Sequence, residues 1–319
     1  MHASAKALLA EIIDYAGLFP PARLPLEEAF ERYLDHRRGP SGWLLACFVC
    51  PAGRLDDLAA PLANLDDAEP VVPLAVLGRG GETGDEFCTA TAADLESAGW
   101  FLEKAHGRAR FDQLEARLPP AGGRATLGEV VRDTQHRTHE LGEIPPTAYF
   151  EVSLLGDWKE RVPAAVEAVA EGRREGTPVG LKIRCGGADA AAVPAKEAVA
   201  TALAACRDAD IPLKATQGLH HPLRHFDPAL EATAHGFLNL FVAGLLARRH
   251  GLDTEALVAV LGDDDPAAFA FSDNEVRWRE LAVDVSAIRE GRQRAVTSFG
   301  SCSFSEPRDH LRGMALVDG

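Results

Sequence analysis

Two lysines interrupt apolar runs in this chain. "VGLKIRCG" (179–186) carries Lys182, and "IPLKATQGLHHPLRH" (211–225) carries Lys214 and then runs into histidines. Lysine is scarce here. Lys6, Lys104, Lys159, Lys182, Lys196 and Lys214 are the only six, and the other 27 of the 33 basic residues are Arg. Where a generic positive charge suffices the chain uses Arg, so a lysine inside an apolar run is there for its own chemistry. An amine beside a second cation in a dry pocket loses proton affinity. Once neutral, it can attack a carbonyl and form a Schiff base. Carboxylates to move the protons stand in two other runs: Glu115 in "RFDQLEARL" (110–118) and Glu151 in "TAYFEVSLL" (147–155).

Side chains alternate along a strand, so the apolar residues of each run assign its faces. Leu181, Ile183 and Cys185 form one set, and Lys182 and Arg184 the other. The same alternation pairs Lys214 with Thr216, Gln113 with Glu115 and Arg117, and Glu151 with Ser153. Four consecutive strands thus aim ionisable or polar groups at one place, which is costly unless the charges are paired. The alternative is a salt-bridged network that only seals the interior.

Eight short runs bounded by Gly or Pro read as strands. They are "IIDYAGLF" (12–19), "GWLLACFVC" (42–50), "VVPLAVLG" (71–78), the four already quoted, and "AVTSFGSCSF" (295–304). Amphipathic helical patterns lie between them, and the crossovers are too long for hairpins, so the strands are parallel. Eight strands alternating with helices is the count of a single-domain (β/α)8 TIM barrel over residues 1–319. The competing fold is an open doubly wound sheet. Residues 228–294, between strands seven and eight, are expected to form a helical insertion over or beside the barrel mouth.

In such a barrel, function sits at the carboxyl ends of the strands. Asp14 ends strand one, where it binds a substrate hydroxyl or caps a turn. Arg117, Arg184, Thr216 and Gln217 end strands four, six and seven and are substrate-binding candidates. His220 and His221 follow strand seven and either contact substrate, exchange protons or bind metal. Gly300, Ser301 and Cys302 end strand eight, a common anion site in barrels. As a cysteine, Cys302 reads as structural rather than nucleophilic.

On Lys182, Lys214 and Glu115 the sequence resembles the class I, Schiff-base aldolase barrels, such as the deoxyribose-phosphate aldolases, over residues 110–220. The resemblance implies that Lys182 forms the Schiff base, Lys214 lowers its pKa and Glu115 is the acidic partner. That family's Gly-rich phosphate loops are not matched: "RCGG" and "TQGLHHP" stand in their place.

The expected function is a lyase or isomerase acting on a small carbonyl compound that carries a carboxylate or phosphate, with no cofactor. Two alternatives remain. One is a metal-dependent hydrolase or lyase in which His220 and His221 bind a divalent metal with Glu151, Cys185 or Cys302. The other is a non-catalytic barrel that binds a small anion.

Some strings are discounted. Cys47 and Cys50 look like a CxxC pair but lie three apart in a strand and face opposite sides. "GRGGETG" (78–84) is not a dinucleotide fingerprint and opens no clear helix, though it offers backbone N–H groups to an anion. His136 and His139 share a polar helix face and read as solvated. His235 and Asn239 reach the mouth only if the inserted helix lies over it.

With 33 basic and 48 acidic residues the net charge is −15, which argues against nucleic acid and anionic membranes as partners. The expected partner is a small-molecule substrate, with a homo-oligomer left open. No run is long and apolar enough to span a bilayer. The N-terminus lacks a signal-peptide pattern, so the expected location is cytoplasmic.

Overall fold

A computed structural model describes residues 1–318 except 67, 121–122, 142–143 and 175–177. Seven strands come first: β1 (Ile13–Tyr15), β2 (Leu45–Pro51), β3 (Val72–Leu77), β4 (Ala109–Arg117), β5 (Thr147–Val152), β6 (Val179–Arg184) and β7 (Leu213–Thr216). Two small antiparallel sheets follow, β8 (His225–Asp227) with β9 (Ala232–Ala234), and β10 (Phe269–Phe271) with β11 (Glu275–Trp278) and β12 (Leu281–Asp284). The last strand is β13 (Val296–Ser301). Strands β1 to β7 and β13 close into one all-parallel barrel, in the order β1-β13-β7-β6-β5-β4-β3-β2. The eight expected strands are these eight.

The helices are α1 (Ala3–Leu9), α2 (Leu26–Arg38), α3 (Ala59–Ala63), α4 (Gly84–Ala105), α5 (Arg124–His139), α6 (Trp158–Arg174), α7 (Lys196–Asp208), α8 (Phe237–His250), α9 (Thr254–Gly262), α10 (Val285–Arg294) and α11 (Ser305–Gly313). The main apolar core lies between them and the outer faces of the strands. It takes Phe48 and Cys50 from β2, Phe150 from β5, and Leu181 and Ile183 from β6. Strand alternation sends the other set inward. Cys47, Val49 and Ala75 form a separate apolar cluster with Ala16 and Phe19. This fills the β2–β3 side of the interior and leaves the side built by β4–β7 to charged groups. Cys47 and Cys50 are therefore on opposite faces, as their spacing requires.

The structure departs from the sequence reading in two segments. Residues 228–294 hold strands as well as three helices. Residues 237–247 of α8 are all buried, because this helix is apolar all round and is enclosed between the barrel and α7, α9 and α10. Phe237 stacks on Phe299 of β13 with ring centroids 5.0 Å apart. The three-stranded sheet instead meets the N-terminus, where Ser4 N–H donates to Ser272 O (3.2 Å) and Ala3 N–H to Asp273 Oδ1 (3.0 Å). The second departure is "GRGGETG", which opens directly into the 22-residue α4. Thr83 and Glu86 form a capping box that satisfies the first backbone N–H groups of that helix.

Candidate active site

The register places Glu151 beside Lys182 and Lys182 beside Lys214 on adjacent strands. Their inward side chains join groups from β1 and β4 in one line of alternating charge. Arg184 Nε contacts Glu151 at 2.6 Å. Glu151 contacts Lys182 at 2.9 Å, and Lys182 contacts Glu115 at 2.6 Å. Glu115 contacts Lys214 at 2.5 Å, and Lys214 contacts Asp14 at 2.7 Å. Three cations meet three carboxylates, so the line is neutral overall, which is what a dry interior demands. The Arg184 side chain is 47 % exposed and those of Glu151, Lys182 and Glu115 only 4 % each, while Lys214 and Asp14 are fully buried. The line thus runs from solvent to the centre of the barrel.

Further contacts fix the deep end. Lys214 donates to Gln113 Oε1 and sits 5.8 Å from the centre of the Tyr149 ring. Asp14 accepts from Cys47 N–H (2.9 Å) and from the Ser298 hydroxyl. Its place is therefore within the ion line, and it does not cap a turn. Tyr149 shares a 2.9 Å hydrogen bond with Thr297. Gln113 was legible as an inward residue from alternation, and Tyr149 follows from the same parity as Glu151.

The electrostatics differ from those of an unshielded lysine pair. Burial opposes the charge on Lys214, but Asp14 and Glu115 more than offset it, so its pKa lies above that of an ordinary lysine. Burial likewise opposes ionisation of Glu115, and Lys182 and Lys214 overcome it, taking its pKa down to about 2. Glu151 is lowered against burial by Lys182 and Arg184. Glu115 stands between the two ammoniums and offsets the repulsion from which a neutral amine was expected.

The line opens into a cleft of about 950 Å³ at the carboxyl ends of β3 to β6. Glu151, Arg184, Arg117, Arg79 and the 78–81 loop line it, and the first turns of α4 form one wall. Arg117 belongs to this cleft and not to the buried line: it is 57 % exposed and pairs with Glu82 at 2.8 Å. Ser153 lies beyond the end of β5, where its hydroxyl accepts from Leu155 N–H (3.2 Å), so it does not point inward. Sequence reasoning missed Arg79 and Asp94. The legible signal was an arginine between glycines at the end of a strand.

The strand-seven and strand-eight candidates do not line the cleft. Thr216 lies beside Gly300, where an added Cβ would come within 2.8 Å of Thr216 Oγ1. Ser301 Oγ donates to Ser303 O (2.6 Å), and Cys302 is a half-buried thiol that burial pushes up. Gln217 Oε1 lies 3.4 Å from Arg184 Nη1. The unmatched loops touch each other. A Cβ on Gly186 would come within 2.8 Å of Gly218 Cα, so those glycines allow the loops after β6 and β7 to touch backbone to backbone.

His220 faces Glu306 (3.1 Å), and His221 packs between His225 and His310 with centroids 4.5 and 4.4 Å away. Among the described residues no group of three or more His, Cys, Asp or Glu side chains is arranged to hold a metal ion. His235 Nε2 bonds Pro194 O (2.8 Å), and Asn239 donates to Val260 O and Asp263 O, so both are structural. His136 is exposed beside Glu140. No helix among the described residues is long and apolar enough to cross a membrane.

Compared with known proteins, the chain matches no family model and no curated sequence.

Proposed function

We propose that this barrel is a lyase or isomerase acting on a small carbonyl compound that carries a carboxylate or phosphate, through a Schiff base on Lys182. The observation that carries the reading is the position of Lys182. It lies directly behind Glu151, which lines the cleft, and touches two carboxylates at 2.6 and 2.9 Å. Lys214 is fully buried and committed to Asp14, Glu115 and Gln113, which suits an electrostatic role.

The resting line is ionised, so the amine must first lose a proton. A substrate oxyanion that engages the terminal N–H groups of Arg184 offsets the positive charge that guanidinium presents to Glu151. Glu151 then gains proton affinity and accepts the proton of Lys182. The neutral amine adds to the carbonyl carbon, and a proton passes from the nitrogen to the carbonyl oxygen to give a carbinolamine. Water leaves as the C–N double bond forms, with Glu151 returning its proton to the departing hydroxyl. The resulting iminium accepts the electron pair of a breaking bond: in C–C cleavage the neighbouring hydroxyl gives its proton to Glu151 as it becomes the second carbonyl, and in C–H cleavage Glu151 takes the proton, each leaving an enamine. Reprotonation at carbon and addition of water release the product and restore the amine. Glu115 stays ionised and holds Lys182 and Lys214 in place throughout.

Borohydride trapping with a panel of small aldehydes, ketones and keto acids, read by intact mass and peptide mapping, tests this. The expected result is a reduced adduct on Lys182 that disappears in Lys182→Met. An adduct on Lys214 would transfer the nucleophile to strand seven. No adduct above a denatured control would leave a barrel that binds a small anion without turning it over.

A further inference from the structure

Two buried carboxylates in this barrel are spent on holding half-exposed arginines. Asp94 of α4 is 1 % exposed in its side chain, and it accepts from Arg79 twice, at the backbone N–H (2.8 Å) and at Nε (2.7 Å). Glu151, which also meets Lys182, holds Arg184 through Nε (2.6 Å). The Arg79 side chain is itself 59 % exposed. A buried carboxylate costs several kcal/mol to desolvate, and an exposed partner returns little of that as stability. The return is orientation: each guanidinium is fixed by its Nε side and keeps terminal N–H groups for the cleft.

The third guanidinium is held differently. Arg117 meets Glu82, which is 70 % exposed, in a pair of the kind that contributes little. Glu86, the neighbouring acid, is engaged elsewhere, accepting from Glu82 N–H (2.9 Å) and Thr83 N–H (3.2 Å). Glu82 therefore occupies Arg117 as a displaceable carboxylate, and an incoming oxyanion takes its place by exchanging one carboxylate-type contact for another.

From this geometry we infer that Arg79 and Arg117 form an oxyanion subsite for the far end of the substrate, with Arg184 between that end and Lys182. The inference rests on reading this cleft as the mouth of the active site, and it deepens that reading by naming the substrate class. The substrate is an elongated carbonyl compound with a carboxylate or phosphate remote from its reacting carbon. The subsite lies at β3 and β4, across the barrel from the ends of β7 and β13, where barrel anion sites are common.

The test is a calorimetric titration at constant ionic strength of inorganic phosphate, and separately of glutarate, into the full-length protein and its variants. One of the two probes should bind saturably, and which one does distinguishes a phosphate from a carboxylate terminus. Arg79→Gln and Arg117→Gln should each weaken binding about tenfold or more, the loss expected for a charged hydrogen bond. Glu82→Gln should tighten it severalfold by releasing Arg117, which a merely structural arginine would not do. If Arg79→Gln does not fold, because Asp94 loses its partner, Arg117→Gln and Glu82→Gln carry the test, since their pair is exposed. Absence of saturable binding of either probe, or unchanged affinity in the arginine and Glu82 variants, would overturn the subsite. Binding needs no chemistry at Lys182, so the same titration on Lys182→Met separates the two readings. Failed trapping with intact anion binding removes the Schiff base alone, and the opposite result removes the subsite alone.

Discussion

Lys214→Met is the perturbation that most directly tests the buried ion line. Methionine keeps the length and apolar stem of the side chain and removes the charge. Asp14 then retains only Cys47 N–H and the Ser298 hydroxyl, and Glu115 retains Lys182 alone. The shift of Glu115 from 4.5 to about 2 corresponds to about 3 kcal/mol of net stabilisation of its ionised form. Two lysines share that interaction and the burial penalty on Glu115 remains, so removing one withdraws at least half of it, about 2 kcal/mol. The loss of the fully buried Asp14 pair at 2.7 Å adds a comparable amount, and the total, about 3–5 kcal/mol at pH 7, is what breaking a buried pair costs. That is a large share of the roughly 5–15 kcal/mol typical of a folded chain. Urea unfolding followed by circular dichroism measures it, through a lower midpoint at an unchanged slope. A double variant, Lys214→Met with Glu115→Gln, should cost clearly less than the sum of the two singles, because the second change removes the carboxylate that the first left half-paired. A loss below about 1 kcal/mol for Lys214→Met, or strict additivity in the double variant, would refute the ion line as the organising feature of the interior.

Four other outcomes follow from the same structure. Because the folded pKa of Glu115 is depressed, its contribution is present above pH 4.5 and is lost as pH falls towards about 2, so unfolding free energy should decline across that window. The raised pKa of Lys214 puts the loss of its contribution above the ordinary lysine value of 10.5, so stability should show no alkaline loss from it below about pH 10. Gly300→Ala should destabilise by about 1–3 kcal/mol, seen as a lower Tm, because the new methyl meets Thr216 Oγ1, and Thr216→Ala in the same chain should restore much of the loss. Cys302→Ser should leave borohydride trapping unchanged, and iodoacetamide at neutral pH should modify Cys302 slowly, since burial keeps that thiol protonated.

Alternation along single strands made much of the site legible. Leu181, Ile183 and Cys185 required Lys182 and Arg184 to face inward, and the same parity set Gln113, Glu115, Glu151 and Lys214. What alternation could not supply was the order of contacts across the barrel. Two lysines at matching depth on neighbouring strands suggested mutual repulsion, but Glu115 reaches from β4 to stand between them. Asp14 was visible as a strand-end acid, yet its partner is 200 residues away on β7. The histidines after β7 looked chemical in sequence, and the fold spends them on stacking and on Glu306.

The sequence by itself determined the eight strands, their parallel direction, the faces of each strand and the presence of buried charge, because these follow from the period of hydrophobicity and from crossover length. Only the tertiary structure decided which charge meets which, that the 237–250 helix joins the helix layer, and that the open cleft lies at β3 to β6. Those outcomes depend on closure of the barrel, which brings residues far apart in the chain within hydrogen-bond distance. Arg79 shows the difference most clearly. Its glycine-flanked position could be read locally, but the carboxylate that orients it comes from Asp94 on α4, and only folding brings the two together.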